Sequence, residues 1–362
     1  MTGNDTAKIS NTWHEYIRPG KAAVLVDGQY GSTGKGLLAA YLACQPQNEV
    51  QIAVTNASAN AGHWTKFADP KKRDFCCFHL PTFGVIQDDC DIYIDAGAII
   101  NVDLFFQELE ENKIRPSRIA IHPNAAVIND QDIAYEASSF SQATKIASTR
   151  KGVGRALSQK VQRISKLAKD HPKLNEFINY INLNQLLTLG ARVSIEIPQG
   201  FSLSLNGPFY PNCTSRQCTV SQGLADAQIH PSFLGEVAMS VRTYPIRVGN
   251  IMEDGEQVGF SGEVYPDQQE TSFSDLGVEE ELTTVTKRVR RIFTWSDKQY
   301  RDAIAENRPT VLFLNFINYI QDADITRDIM RSISRAHKDA GIGAPNMLFG
   351  YGPNVEDVKP QS

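Results

Sequence analysis

This sequence has no CxxC pair, no apolar run near the roughly 20 residues that span a bilayer, and no excess of positive charge. Each absence excludes something. Six cysteines in 362 residues (Cys44, Cys76, Cys77, Cys90, Cys213 and Cys218) are too sparse for a disulfide scaffold, so a reduced, cytoplasmic setting is expected. The formal charge of −5, from 36 Lys and Arg against 41 Asp and Glu, provides no global positive field. Direct nucleic-acid binding is therefore not expected, and any phosphate site must be local. No membrane partner is expected either. The polar start Met1-Thr2-Gly3-Asn4-Asp5 lacks the charged-then-apolar order of a signal peptide. With 41% hydrophobic and 21% charged residues, collagen-like, coiled-coil and wholly disordered chains are excluded.

Cys76, Cys77 and His79 lie close enough in sequence to raise the question of a metal. A buried strand carrying small apolar thiols is the preferred reading.

What is present is an alternation of short apolar runs with helical spacing. Strands are expected at 22–27, 50–55, 91–95, 118–122, 192–197, 309–316 and 346–349. Helices are expected from Gly36 to Cys44, from Asp103 onward, after Ser296 (whose spacing to Gln299 suits a capping box), and over 326–340, where Ile329, Ile333, Ala336 and Ala340 share a face. Such alternation predicts an α/β fold with a central, mostly parallel sheet flanked by helices, in one large domain. Residues 1–21 are read as a polar, peripheral extension, 253–281 as a surface excursion, and 355–362 as a polar, frayed tail.

Four loops carry the chemistry. In the first, Gly28-Gln29-Tyr30-Gly31-Ser32-Thr33-Gly34-Lys35-Gly36 links a buried strand to a helix. Backbone N–H groups at a helix start, close approach at glycines and the Lys35 charge suit a phosphate. The spacing fits neither a Walker A motif nor a GxGxxG fingerprint. Asp27 is read first as a cap on this turn, and second as a group that contacts a ligand. The second loop is Asn60-Ala61-Gly62-His63. The third, Ser148 to Arg155, combines hydroxyls, glycines and three cations. The fourth, Thr284 to Arg291, holds Lys287, Arg288, Arg290 and Arg291 beside threonines and suits an anion clamp.

In this order, with His79-Leu80-Pro81, Glu196 to Gly200, Tyr210 to Ser215 and Gly350-Tyr351-Gly352-Pro353, the loops resemble adenylosuccinate synthetase over residues 22–354. That family phosphorylates the 6-oxygen of a purine nucleotide and then displaces the phosphate with the amino group of aspartate. The resemblance implies Lys35 on the phosphates and His63 on the 6-oxygen and transferring group. It implies Mg2+ at Gly62 and position 32. It places the substrate nucleotide on Ser32, Asn60, Ser148, Thr149, Gln199 and Thr214, with Arg163 reaching the partner's site in a homodimer. It places aspartate on Thr286, Arg288 and Arg290. The donor nucleotide falls to Gly31, Thr33, Gly34, Lys35, Gly36, Gly62, His63 and Thr65, and to Asn315, Asn318, Gly350, Gly352 and Pro353.

Two departures from the family redirect the reading. Gly31-Ser32-Thr33-Gly34-Lys35-Gly36 stands where the family has Gly-Asp-Glu-Gly-Lys-Gly. Serine cannot replace aspartate as the N1 base near neutral pH, but it leaves room for a 2-amino group. The loop resembles that of the phage-type branch, the 2-aminoadenylosuccinate synthetases, which act on dGMP in the pathway to diaminopurine DNA. If the chain is phage-encoded, the host cytoplasm is its expected location. Second, Ile317 stands where the family's Asp reads the guanine of GTP. Each unpaired guanine N–H would cost about 1–3 kcal/mol, which points to ATP or dATP. The expected function is therefore aspartate ligation to dGMP. An ordinary enzyme using IMP and GTP, and a catalytically silent nucleotide-binding protein, are the alternatives.

Overall fold

The backbone core is a nine-stranded sheet described by a computed structural model of residues 16–284 and 286–361. Its strands are β1 (Ala22–Asp27), β2 (Ile52–Thr55), β3 (Asp91–Ile94), β4 (Ile119–Ile121), β5 (Val193–Glu196), β6 (Leu234–Arg242), β7 (Val311–Asn315), β8 (Asn346–Gly350) and β9 (Val358–Pro360). They lie in the order β9-β8-β7-β6-β1-β5-β2-β3-β4. Every pairing is parallel except β8 with β9.

Both faces are covered, as a parallel sheet requires. In β1, Val24 and Val26 face one core with Ile195, Val241, Leu312 and Leu314. Helices α5 (Asp297–Asn307) and α6 (Ala323–Asp339) seal that face through Tyr300, Ile304, Ile329 and Ile333. Ala23 and Leu25 face the other core with Phe313 and Leu348, under α1 (Lys35–Ala43). Helix α2 (Val102–Glu111) covers the β3–β4 end, and α3 (Asp130–Ala137) packs against α4 (Val153–Gln162) beyond it.

The expected strands and helices are present, with ends shifted by a few residues. The nine-residue β6 went unread because Gly235 and Glu236 interrupt its apolar pattern, although it lies directly beside β1. Ser296 caps α5 by accepting from the Gln299 N–H (2.8 Å), but the Gln299 amide turns inward to Ser202 (2.9 Å) instead of completing a capping box.

Both chain ends need correction. Residues 1–15 lie outside the described residues, but Tyr16 and Ile17 are fully buried, not peripheral. The Tyr16 hydroxyl donates to the Val24 carbonyl (2.9 Å) and accepts from the Ala238 N–H (3.0 Å). It thus fills the irregularity in the β1–β6 register between Ala22 and Val24. At the other end, 358–360 is not frayed: it forms β9 on β8, with Val355 and Val358 buried. The 253–281 excursion is anchored too, through buried Tyr265, Gln268 and Phe273.

The Cys76–His79 segment follows the apolar reading at Cys77, whereas Cys76 is only partly buried. Phe75–Cys77 is a short strand and Cys77 is buried. Burial pushes the Cys76 thiol up to about 12. Glu108 holds His79, with Nδ1 at 2.8 Å, and the other ring nitrogen accepts from the Asn101 N–H (3.1 Å). Among the described residues no group of three or more His, Cys, Asp and Glu could hold a metal ion.

Candidate active site

Parallel strands bring their carboxyl ends to one edge of a sheet, and the loops leaving them form a crevice there. Here the loops after β1, β2, β5, β6 and β7 enclose a cavity of about 850 Å3. All four loops singled out from the sequence reach its wall.

The loop after β1 is built around Asp27. One carboxylate oxygen accepts the N–H groups of Gln29 (2.8 Å) and Gly31 (3.2 Å). The other accepts the N–H (3.3 Å) and hydroxyl (2.5 Å) of Thr33. Burial pushes the Asp27 pKa up, while Lys35 and these hydrogen bonds oppose the rise. Asp27 is thus the cap on the turn, its acceptor sites spent on the loop.

Ser32, with φ 55°, projects exposed into the cavity. Gly34, with φ 90°, passes so close to Asn315 that a Cβ would lie 2.1 Å from its Nδ2. Lys35 is buried, and its Nζ donates to the Gln199 carbonyl (3.1 Å). Gly200 makes that crossing possible: a Cβ there would lie 2.1 Å from the Gly31 nitrogen.

Asn60, Gly62 and His63 line the wall beside Lys35. Burial and the Lys35 charge push the His63 pKa down to about 3. Its imidazole is therefore neutral at pH 7, offering one N–H donor and one acceptor.

In the third loop only Ser148 and Thr149 face the cavity. The α4 N-terminus behind them is already taken. Glu136 accepts from the N–H groups of Gly152 (2.7 Å) and Arg155 (3.0 Å), and Arg155 lies over the Tyr135 ring at 4.5 Å. The helix start at Gly152 is therefore carboxylate-capped, leaving the hydroxyl pair for a ligand. Arg163 ends α4, exposed and outside this cavity.

In the fourth loop Thr286 and Arg290 line the wall, whereas Arg288 does not. Arg288 turns back to donate to Thr286 Oγ1 (3.1 Å) and to the Ala147 carbonyl (3.0 Å), tying this loop to the third. Val285 lies outside the described residues. Burial pushes Arg290 down to about 10, still a cation at neutral pH, and its side chain stands beside Glu281.

The donor-side expectations divide. Gly31, Gly34, Lys35, Gly36, Gly62, His63 and Pro353 line the cavity, as do Gln199 and Thr214 of the substrate set. Thr33, Thr65 and Asn315 are buried behind the wall. Asn315 does not face a base: its amide donates to the Thr33 carbonyl (3.1 Å) and its oxygen accepts the Phe316 N–H (2.8 Å). Gly350 leaves room for that amide, and Gly352 packs against Asp357. Asn318 is exposed on the turn outside the wall. Ile317 packs against the sheet core, so Phe316 and Tyr319 face the cavity instead.

Sequence reasoning missed Arg242, Glu281 and Trp64. Arg242, fully buried at the end of β6, donates to the Ser32 carbonyl and to both oxygens of Glu281, with its guanidinium 3.7 Å above the Phe316 ring. Tyr319 donates to Glu281 at 2.9 Å. Trp64 lines the wall half-exposed, directly after His63. A basic residue ending an apolar run was the available signal for Arg242, but it needed β6 to be recognised.

A family model described as adenylosuccinate synthetase matches residues 24–182. The N6-succino-2-amino-2′-deoxyadenylate synthase of Salmonella phage PMBT28 is 36% identical, covering 93% of this chain and 97% of that protein. The adenylosuccinate synthetase of Pyrococcus sp. (strain ST700) is 30% identical, covering 92% and 97%. Among solved structures, the succinoaminodeoxyadenylate synthetase of cyanophage S-2L, bound to dGMP and dATP as an energy donor, superposes with a TM-score of 0.81. It is 34% identical, with 94% of this chain and 95% of that chain covered.

Proposed function

The chain belongs to the adenylosuccinate synthetase family of carbon–nitrogen ligases, and from that we propose that it joins L-aspartate to C6 of dGMP. ATP or dATP supplies the phosphoryl group, and the product is N6-succino-2-amino-2′-deoxyadenylate. The observation that carries this reading is Ser32, a small hydroxyl residue exposed in the cavity where a carboxylate would crowd a 2-amino group. Ile317, turned into the core, supports an adenine donor, because no side-chain acceptor stands at that position for guanine N–H groups.

Phosphoryl transfer asks the protein for positioning and charge neutralisation. Lys35 supplies a fixed cation at the loop, and neutral His63 offers an N–H toward the 6-oxygen as negative charge develops there. Removing one such donor typically lowers the rate by about 10²–10³-fold. Ser148 and Thr149 offer hydroxyls to the 5′-phosphate, and Arg163 of a second copy reaches the same group in a homodimer. Thr286 and Arg290 hold the aspartate carboxylates, while Arg288 positions their loop.

The Ser32 hydroxyl and the Gly62 carbonyl fit Mg2+ as hard oxygen donors, with most ligands left to nucleotide phosphates and water. When bound, the ion neutralises phosphate charge. No helix among the described residues is long and apolar enough to cross a membrane. A cytoplasmic location, the host's if the chain is phage-encoded, belongs to the proposal.

Phosphate release with aspartate and Mg2+, crossing dGMP, GMP and IMP against ATP, dATP and GTP, tests the proposal. Turnover of dGMP with an adenine donor is expected. Turnover confined to IMP with GTP would make this an ordinary adenylosuccinate synthetase. Nucleotide binding without turnover of any pair would leave only a silent binding protein.

A further inference from the structure

Replacing the loop carboxylate by Ser32 leaves the N1 proton of the purine without an acceptor at position 32. Three carboxylates line the cavity among the described residues: Asp27, Asp74 and Glu281. Both oxygens of Asp27 are spent inside the loop. Asp74 is exposed and accepts the Phe67 N–H (3.0 Å). Glu281 differs from both. A single nitrogen, Arg242 Nη1, donates to the Ser32 carbonyl and to Glu281 Oε2, each at 3.2 Å. The carboxylate is therefore tethered directly beside residue 32.

We propose that Glu281 supplies the carboxylate that position 32 lacks, accepting the N1 proton of the bound 6-oxopurine as its 6-oxygen is phosphorylated. The assignment rests on the dGMP reading above. Oε1 accepts from Arg242 and from the Tyr319 hydroxyl (2.9 Å). Among the described residues Oε2 accepts only from Arg242 Nη1, so it keeps a free lone pair for the N1–H. The N1–H bond breaks and its proton passes to Oε2. The freed electron pair forms N1=C6, the C6=O pair moves to oxygen, and that oxygen bonds to the γ-phosphorus as the donor's nucleoside diphosphate leaves. Arg242, stacked on Phe316 and fully buried, is the positioning residue that holds the carboxylate.

The experiment compares wild type with Glu281→Gln and Glu281→Ala. Three readouts are used: turnover, dGMP and dATP binding by calorimetry, and positional isotope exchange in the donor without aspartate, which reports the first step alone. Expected for Glu281→Gln is a loss of exchange and kcat of about 100-fold or more, with nucleotide affinities within about threefold of wild type. Added formate should restore part of the turnover of Glu281→Ala by occupying the vacated site. Retained exchange in Glu281→Gln would overturn the assignment. So would a loss that parallels dGMP or dATP affinity, or failure of both variants to bind nucleotide, since each makes the role structural. Absence of dGMP turnover in the wild type would instead remove the underlying function.

Discussion

Changing Asp27 to Asn tests whether the β1 carboxylate builds the phosphate loop or acts on ligands. The replacement keeps the shape of the side chain but exchanges one acceptor oxygen for an NH2 donor. One oxygen can still accept from Gln29 and Gly31, at 2.8 and 3.2 Å in the native loop. The NH2 then faces the Thr33 N–H, which is donated at 3.3 Å to the carboxylate it replaces. The Thr33 hydroxyl can turn, accepting from the new amide and donating to Ser240, 2.5 Å away. One buried N–H therefore loses its partner, about 1–3 kcal/mol, and the surviving bonds lose their ionic acceptor. Together this is about 2–4 kcal/mol, a large share of the ~5–15 kcal/mol that stabilises a typical domain. Urea unfolding should show that loss, with kcat/KM for the donor falling as the Ser32–Lys35 turn loosens. Wild-type stability with a raised KM for aspartate alone would refute the capping argument and restore Asp27 as a ligand.

Gly200→Ala should be inactive and less stable by about 1–3 kcal/mol, because its Cβ would lie 2.1 Å from the Gly31 nitrogen; thermal melting with a parallel rate assay checks this. His63 should show no imidazole titration by NMR between pH 5 and 8, because burial and Lys35 hold its pKa near 3. The unfolded chain binds a proton at His63 below its ordinary value of 6.5 and the folded chain does not, so His63 makes stability fall as the pH drops from about 6.5 toward 3. Denaturant midpoints across that range should show wild type losing stability relative to His63→Gln on acidification. Trp64, half-exposed in the cavity wall, should lose fluorescence when dATP binds, and Trp64→Phe should abolish that response. Arg163→Ala should lower activity by raising the KM for dGMP, and mixing it with an inactive Lys35→Ala protein should restore activity if the arginine acts across a dimer.

Which segments become strands and helices, and which loops carry chemistry, can be read from the residues alone. Those properties are written locally, in apolar runs of four to six residues, in glycines where the chain must turn, and in polar atoms spaced to cap a helix. Hence β1, α1 and α6 were legible, whereas the meeting of Ser32, His63, Thr149 and Thr286 in one site was implied only by the family resemblance. Where the side chains near the sheet's carboxyl edge point depends instead on contacts between distant segments. Phe316 adopts φ 62°, which sends Ile317 to the core, and Asn315 spends its amide on Thr33. Glu136, sixteen residues before Gly152, takes the helix start that would otherwise meet a phosphate. Arg242 joins Ser32 across 210 residues to Glu281 39 residues on. A buried arginine needs both carbonyl and carboxylate acceptors, and no local pattern encodes which distant segments the sheet order will bring to it.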